Sequence, residues 1–133
     1  MKNVTYIEAI TEAMAEEMER DSNVFLIGED IGLYGGVFKA TKGLQKRFGP
    51  ERVIDSPISE VYIVGGSVGA AMVGMRPIPE IQFADFISPA MDQIIQQAAK
   101  NPLPHRGRLA LPHDDSCLLR RRGRRRALSF ANQ

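Results

Sequence analysis

One cysteine, Cys117, in a chain of 133 residues excludes an internal disulfide and with it the stapled folds of small secreted domains. A reducing cytoplasm is the expected setting. No apolar run approaches the roughly 18 residues that a membrane helix needs, so no membrane partner is expected. The start, Met1-Lys2-Asn3-Val4-Thr5-Tyr6, lacks the charged-then-apolar layout of a signal peptide and passes directly into an amphipathic pattern. Histidine is nearly absent, and both copies, His105 and His113, lie in the last third. Glu29 and Asp30 are adjacent carboxylates with no histidine nearby, so no metal site is expected there; at least one of them is expected to line a ligand cleft. Hydrophobic residues at 44% and charged residues at 25% are ordinary for a globular chain of one domain with a modest core.

The net charge of +1 conceals a division. Residues 1–100 carry 9 Lys and Arg against 14 Asp and Glu, a net of −5, whereas residues 101–133 carry 8 Arg against 2 Asp, a net of +6. Cys117 and three of the eight prolines also fall in that basic tail. So abrupt a shift marks a boundary.

Before it, helix and strand patterns alternate. Thr5-x-x-Glu8 is a capping box for a helix from Thr5 to Arg20, with Tyr6, Ile10, Met14 and Met18 on one stripe. Val24-Phe25-Leu26-Ile27 is continuously apolar, as in a strand buried on both faces. Gly28-Glu29-Asp30 follows at its carboxyl end, where open α/β sheets gather ligands. A loop with Gly32, Gly35 and Gly36 leads to a short helix, Thr41 to Phe48, closed by Gly49-Pro50. Arg52-Val53-Ile54 reads as a second strand, and Ser59 or Asp55 can cap a helix from Glu60 to about Gly74. Ile78 to Phe83 reads as a third strand. Ser88-Pro89 suits the start of a last helix, with Met91, Ile94, Ile95 and Ala98 as its buried face. The expected class is α/β with a mainly parallel sheet and flanking helices.

Three features in this region invite chemistry. Glu60 is either a first-turn acid favoured by the helix dipole or a half-buried carboxyl with a raised pKa that handles a proton. Gly65-Gly66-Ser67-Val68-Gly69 lies inside the expected helix, not in a strand-to-helix turn, so it suits close backbone packing better than a phosphate cradle. Phe83 and Phe86, after the third strand, suit a core or a platform for a flat ring.

Residues from about 4 to 100 resemble the start of the β subunit of thiamine diphosphate-dependent 2-oxo acid dehydrogenases, which act on pyruvate or branched-chain 2-oxo acids. The resemblance rests on Tyr6-Ile7-Glu8-Ala9-Ile10, Phe25-Leu26-Ile27-Gly28-Glu29-Asp30, Tyr34-Gly35-Gly36-Val37-Phe38, Thr41-Lys42-Gly43-Leu44, Phe48-Gly49-Pro50-Glu51-Arg52-Val53, Asp55-Ser56-Pro57-Ile58-Ser59-Glu60, Gly74-Met75-Arg76-Pro77-Ile78 and Glu80-Ile81-Gln82-Phe83-Ala84-Asp85-Phe86, in that order. It implies a partial pyrimidine-binding domain of the transketolase type over residues 4–100. It implies that Glu60 is the catalytic acid, donating a hydrogen bond to a ring nitrogen of the aminopyrimidine. Glu29 would lie near the same ring, and Ile58, Gln82 and Phe86 would line its pocket. It implies that an α subunit holds the diphosphate and its magnesium in a heterotetramer, and that a lipoyl-bearing acyltransferase receives the acyl group. The nearest alternatives are an acetoin dehydrogenase β subunit, a more distant transketolase-like synthase, and a non-catalytic remnant.

The resemblance ends at Lys100. Glycine codons of the GGC type, read one base out, become CGG, which encodes arginine; Arg120-Arg121-Arg122-Gly123-Arg124-Arg125-Arg126 stands where the family has a glycine loop. A frameshift near codon 100 is therefore expected, with 101–133 a poorly ordered, non-native tail and the chain inactive alone. No aromatics interleave with the arginines, so nucleic acid is not an expected partner.

Overall fold

The computed structural model describes residues 4–100; the basic tail, with its expected lack of order, lies outside them. Helix α1 (Tyr6–Arg20) starts at the capping box, where the Thr5 hydroxyl accepts the Glu8 N–H at 3.2 Å and the Glu8 carboxylate accepts the Thr5 N–H at 2.7 Å. Only its later turns reach the core. Ala15 and Met18 are buried and Met14 packs against them, but Tyr6, expected on the same stripe, is 82% exposed because the first turn lies beyond the core contacts.

Strand β1 (Val24–Gly28) is buried throughout. Its side chains alternate between two cores. Val24 and Leu26 join Ala15, Met18, Ile31, Leu44 and Val53 on one face, and Phe25 and Ile27 join Ile63 on the other. Helix α2 (Leu44–Phe48), strand β2 (Val53–Asp55), helix α3 (Glu60–Met72) and strand β3 (Arg76–Pro79) follow. The described residues form a three-stranded parallel sheet in the order β2-β1-β3. The chain runs from β1 to β2 on one side and resumes at β3 on the other, so the direction of winding reverses between β1 and β3, and open α/β sheets gather ligands at the carboxyl ends of such a pair.

Three expected elements differ. The short helix expected from Thr41 begins at Leu44, because Gly43 before it takes a left-handed φ of 85°. The third strand begins at Arg76, not Ile78, and ends at Pro79. Proline fits within it because alternate nitrogens face away from β1: the Arg76 and Glu80 N–H groups donate to Asn23 and Ile27 carbonyls at 2.9 Å, while Pro77 and Pro79 point to the unpaired side. The last helix is replaced by a 3-10 segment, Ala84–Ala90, with Pro89 inside it, and a π segment, Gln93–Ala98. Met91 and Ile95 are exposed, and Ile94 and Ala98 half-buried, so they form no buried face. Gln93 faces α3 at Gly65. A Cβ at Gly65 would lie 3.1 Å from its Oε1, so the amide fills the space that this glycine leaves. Close packing of the glycine-rich helix is thus seen at Gly65, whereas Gly66 and Gly69 are exposed.

Candidate functional site

The loops at the carboxyl edge of the sheet are held by specific bonds. Beyond β1, the Ile31 carbonyl accepts the buried Thr41 hydroxyl at 2.7 Å, and the Asp30 carbonyl accepts the Gly36 N–H at 2.8 Å, closing the glycine loop. The Gly32 N–H donates to Asp55 Oδ1 at 2.6 Å, tying the end of β2 to the loop after β1. A Cβ at Gly32 would lie 2.2 Å from Asp55 Oδ2, so the tie needs glycine there. Asp55 is thereby engaged, and the α3 cap is Ser59, whose Oγ accepts the Tyr62 N–H at 3.3 Å.

All five residues expected to contact a ligand stand at this edge. Glu29 follows β1 and is half-buried; Glu60 is the first residue of α3, half-buried, where the free amides and the helix dipole favour an acidic side chain. Ile58, in the turn before it, is 78% exposed. Gln82, beyond β3, is half-buried. Phe86 is 47% exposed and meets Phe83 edge to face at 5.6 Å, and Phe83 meets Phe38 likewise at 5.7 Å. Phe83 and Phe86 are therefore not core residues; they form an exposed aromatic ladder on the rim. Among the described residues no group of three or more His, Cys, Asp and Glu side chains could hold a metal ion.

Glu80 went unnoticed in the sequence. It is the first residue past β3, and burial followed by the nearby Glu29 charge pushes its pKa above the ordinary glutamate value. Its Oε2 is shut off from solvent with no hydrogen-bond partner among the described residues. The available signal was an acid directly after Pro77-Ile78-Pro79, within a run that otherwise reads as apolar strand.

A family model described as transketolase, pyrimidine binding domain, matches residues 2–113. The chain belongs to that family. Its parallel α/β sheet is consistent with the pyrimidine-binding domain, and the carboxyl edge just described is the edge of that domain's sheet. The chain is 63% identical over 100 residues to the 2-oxoisovalerate dehydrogenase subunit beta of Bacillus subtilis (strain 168), covering 75% of this chain and 31% of the relative. It is 50% identical over 98 residues to the 2-oxoisovalerate dehydrogenase subunit beta of Pseudomonas aeruginosa, covering 74% and 28%. It is 45% identical over 112 residues to the pyruvate dehydrogenase E1 component subunit beta of Acholeplasma laidlawii, covering 84% and 34%. The matches thus span about a third of the length of these relatives.

Proposed function

We propose that this pyrimidine-binding domain supplies the aminopyrimidine side of a thiamine diphosphate site in the β subunit of a 2-oxo acid dehydrogenase, with 2-oxoisovalerate or pyruvate as the substrate class. The observation that carries this reading is Glu60, a half-buried acid opening a capped helix at the same sheet edge as Glu29. The donor set fits the cofactor: acids for ring nitrogens, the Gln82 amide for a polar edge, and Phe86 and Ile58 as apolar surface for a flat ring. When bound, thiamine diphosphate supplies the carbon nucleophile and electron sink for cleaving the bond beside a keto group. Glu60 would supply the hydrogen bond to a ring nitrogen of the aminopyrimidine. Glu29 would lie beside the same ring, and Ile58 and Phe86 would cover its faces against water. The diphosphate and its magnesium belong to an α subunit, an acyltransferase takes the product, and the assembly works in the cytoplasm.

Co-expression of the chain with an α subunit from a bacterial 2-oxo acid dehydrogenase tests this. A stable complex is expected, and in the frame-restored gene Glu60→Gln is expected to lower decarboxylation by about 10²–10⁴-fold, the usual worth of a positioned acid. Undiminished turnover in that variant refutes the role of Glu60. Failure to form any complex favours the remnant reading, and turnover of acetoin alone favours the acetoin-cleaving relative. Residues 101–133 are read as out of frame from the arginine run Arg120–Arg126, which stands where the family has a glycine loop; the family match itself runs on past Lys100 to residue 113. DNA sequencing across codon 100 tests that; an unshifted frame removes it.

A further inference from the structure

Residues 28–32 carry Glu29 past the end of β1 as an arch with both feet on residues 55 and 56. The Gly28 carbonyl accepts the Ser56 N–H at 2.8 Å, and the Gly32 N–H donates to Asp55 Oδ1 at 2.6 Å. The backbone register of β1 and β2 ends at Gly28 opposite Asp55. The second foot therefore extends the pairing one bond beyond the strands, with a carboxylate in place of a backbone carbonyl. The approach is close: a Cβ on Gly32 would lie 2.2 Å from Asp55 Oδ2 and 2.3 Å from Gln45 Nε2. That amide is itself fixed to β2, donating to the Val53 carbonyl at 2.9 Å. Within the arch, Asp30 has a φ of 55°, a left-handed conformation that costs a non-glycine residue energy and persists where its surroundings impose it. Asp55 is exposed, so water is open to it as an alternative partner and burial does not compel the bond. Five residues after Asp55 comes Glu60. One aspartate thus stands between the two acids of the candidate site, holding the loop of one and preceding the other.

We propose that Asp55 is a positioning residue: its carboxylate latches the Gly32 foot of the arch onto β2 and so fixes Glu29, on the arch, relative to Glu60, at the start of α3. A hydrogen bond to an ionised acceptor is about twice as strong as a neutral one, which suits a single bond that must hold a strained loop. Without it the Gly32 end of the arch is free to leave β2, and relief of the Asp30 conformation favours that movement. That the two acids face a thiamine ring rests on the function proposed above; the latch itself does not.

Amide hydrogen exchange at Gly32, followed by NMR on the full chain, reads the latch without the cofactor. Wild type is compared with Asp55→Asn, which keeps an acceptor oxygen, and Asp55→Ala, which does not. Slow exchange is expected in wild type, and exchange faster by about 10-fold or more in Asp55→Ala, the loss of a hydrogen bond to a charged group. Asp55→Asn is expected to fall between them. The Leu26 N–H, which donates to the Arg52 carbonyl at 2.8 Å within the sheet, serves as the reference and is expected to stay protected in all three. Fast exchange at Gly32 in wild type, or no change in Asp55→Ala, overturns the proposal. So does equal acceleration at Leu26, which shows a general loosening of the fold. The positioning role is read in the frame-restored subunit complexed with an α subunit. There kcat is expected to fall by about 10²-fold in Asp55→Ala, the scale of a displacement of about 1 Å. KM for the 2-oxo acid is expected to stay near wild type, and Asp55→Asn to recover most of the turnover. Wild-type kcat in Asp55→Ala, or a loss as large in Asp55→Asn, overturns the role. Glu60→Gln measured beside them judges the other reading: undiminished turnover there removes the function proposed for Glu60, while the order of the Asp55 variants judges the latch.

Discussion

Gly28 does two jobs with one missing atom. It ends a strand buried on both faces, and it leaves the space into which Glu80 Cβ projects. The atoms that a Cβ would strike are Glu80 Cβ, the Glu80 carbonyl oxygen and Ile31 Cγ2, none of them the far end of a long side chain. Gly28→Ala is therefore expected to destabilise the chain by about 1–3 kcal/mol, the usual cost of overpacking. It should also push Glu80 off the end of β1 and relieve the burial that raises its pKa, so less stability should be lost as pH rises through the glutamate range. Urea unfolding at pH 5 and pH 7 checks both; an unchanged midpoint shows that the strands separate at little cost. Glu80 also marks where sequence reasoning runs out at this scale. Glu60 was legible because a serine three residues before Tyr62 and an acid at a helix start are local signals. Nothing local to Glu80 announces that a neighbouring strand will bury it, because the cause is a glycine 52 positions away in the chain, where β1 and β3 come side by side.

At the scale of elements, Arg52 joins α1 to the sheet. Its guanidinium donates to the Val24, Met18 and Asp21 carbonyls, at 2.6, 2.8 and 2.9 Å from Nη2, with Nε adding a second bond to Val24 at 3.0 Å. Met18 and Asp21 lie at the C-terminal end of α1, where carbonyls lack helical partners and a cation complements the dipole. Phe48 lies near its other face, with the guanidinium carbon 5.4 Å from the ring centre. Arg52→Met keeps much of the length but removes every donor. Its expected cost is at least about 1.5–3 kcal/mol, the worth of one hydrogen bond to a charged group. Arg52→Lys is expected to recover only part of this, since an ammonium cannot span three carbonyls with a planar fork. Chemical denaturation of the two variants beside wild type checks the order; equal stability of all three would show that water replaces the fork. The elements themselves were legible where periodicity is self-sufficient: the capping box set the start of α1, and four apolar residues in a row set β1. The 84–98 region was not, because Gln93 lies against Gly65 of another helix, and a pattern of Met91, Ile94 and Ile95 cannot report which side of a segment faces a distant glycine.

At the scale of the whole molecule, α3 turns one side to the sheet and the other outward. Its inner side, Ile63, Ser67 and half-buried Ala70, packs on the sheet. Its outer stripe, Tyr62, Gly66 and Gly69, recurs at helical spacing, is continued by the capping Val73 and is exposed, with Val73 81% accessible and Val61 exposed as well. Small residues on such a stripe bring a partner's backbone near, and the flanking apolar side chains gain free energy on leaving water, at about 25 cal/mol per Å². Without a partner the same stripe is a liability of the kind that drives association. The 133-residue chain by itself is therefore expected to self-associate with rising concentration, and an α subunit is expected to compete with that association. Val73→Lys separates this surface effect from folding. A residue so exposed contributes little to the fold, so stability should stay within about 0.5 kcal/mol of wild type, while light scattering should report smaller species at equal concentration. A wild-type chain that scatters as a monomer throughout, or a Val73→Lys chain that associates as strongly, would show that the outer stripe of α3 is not what drives assembly.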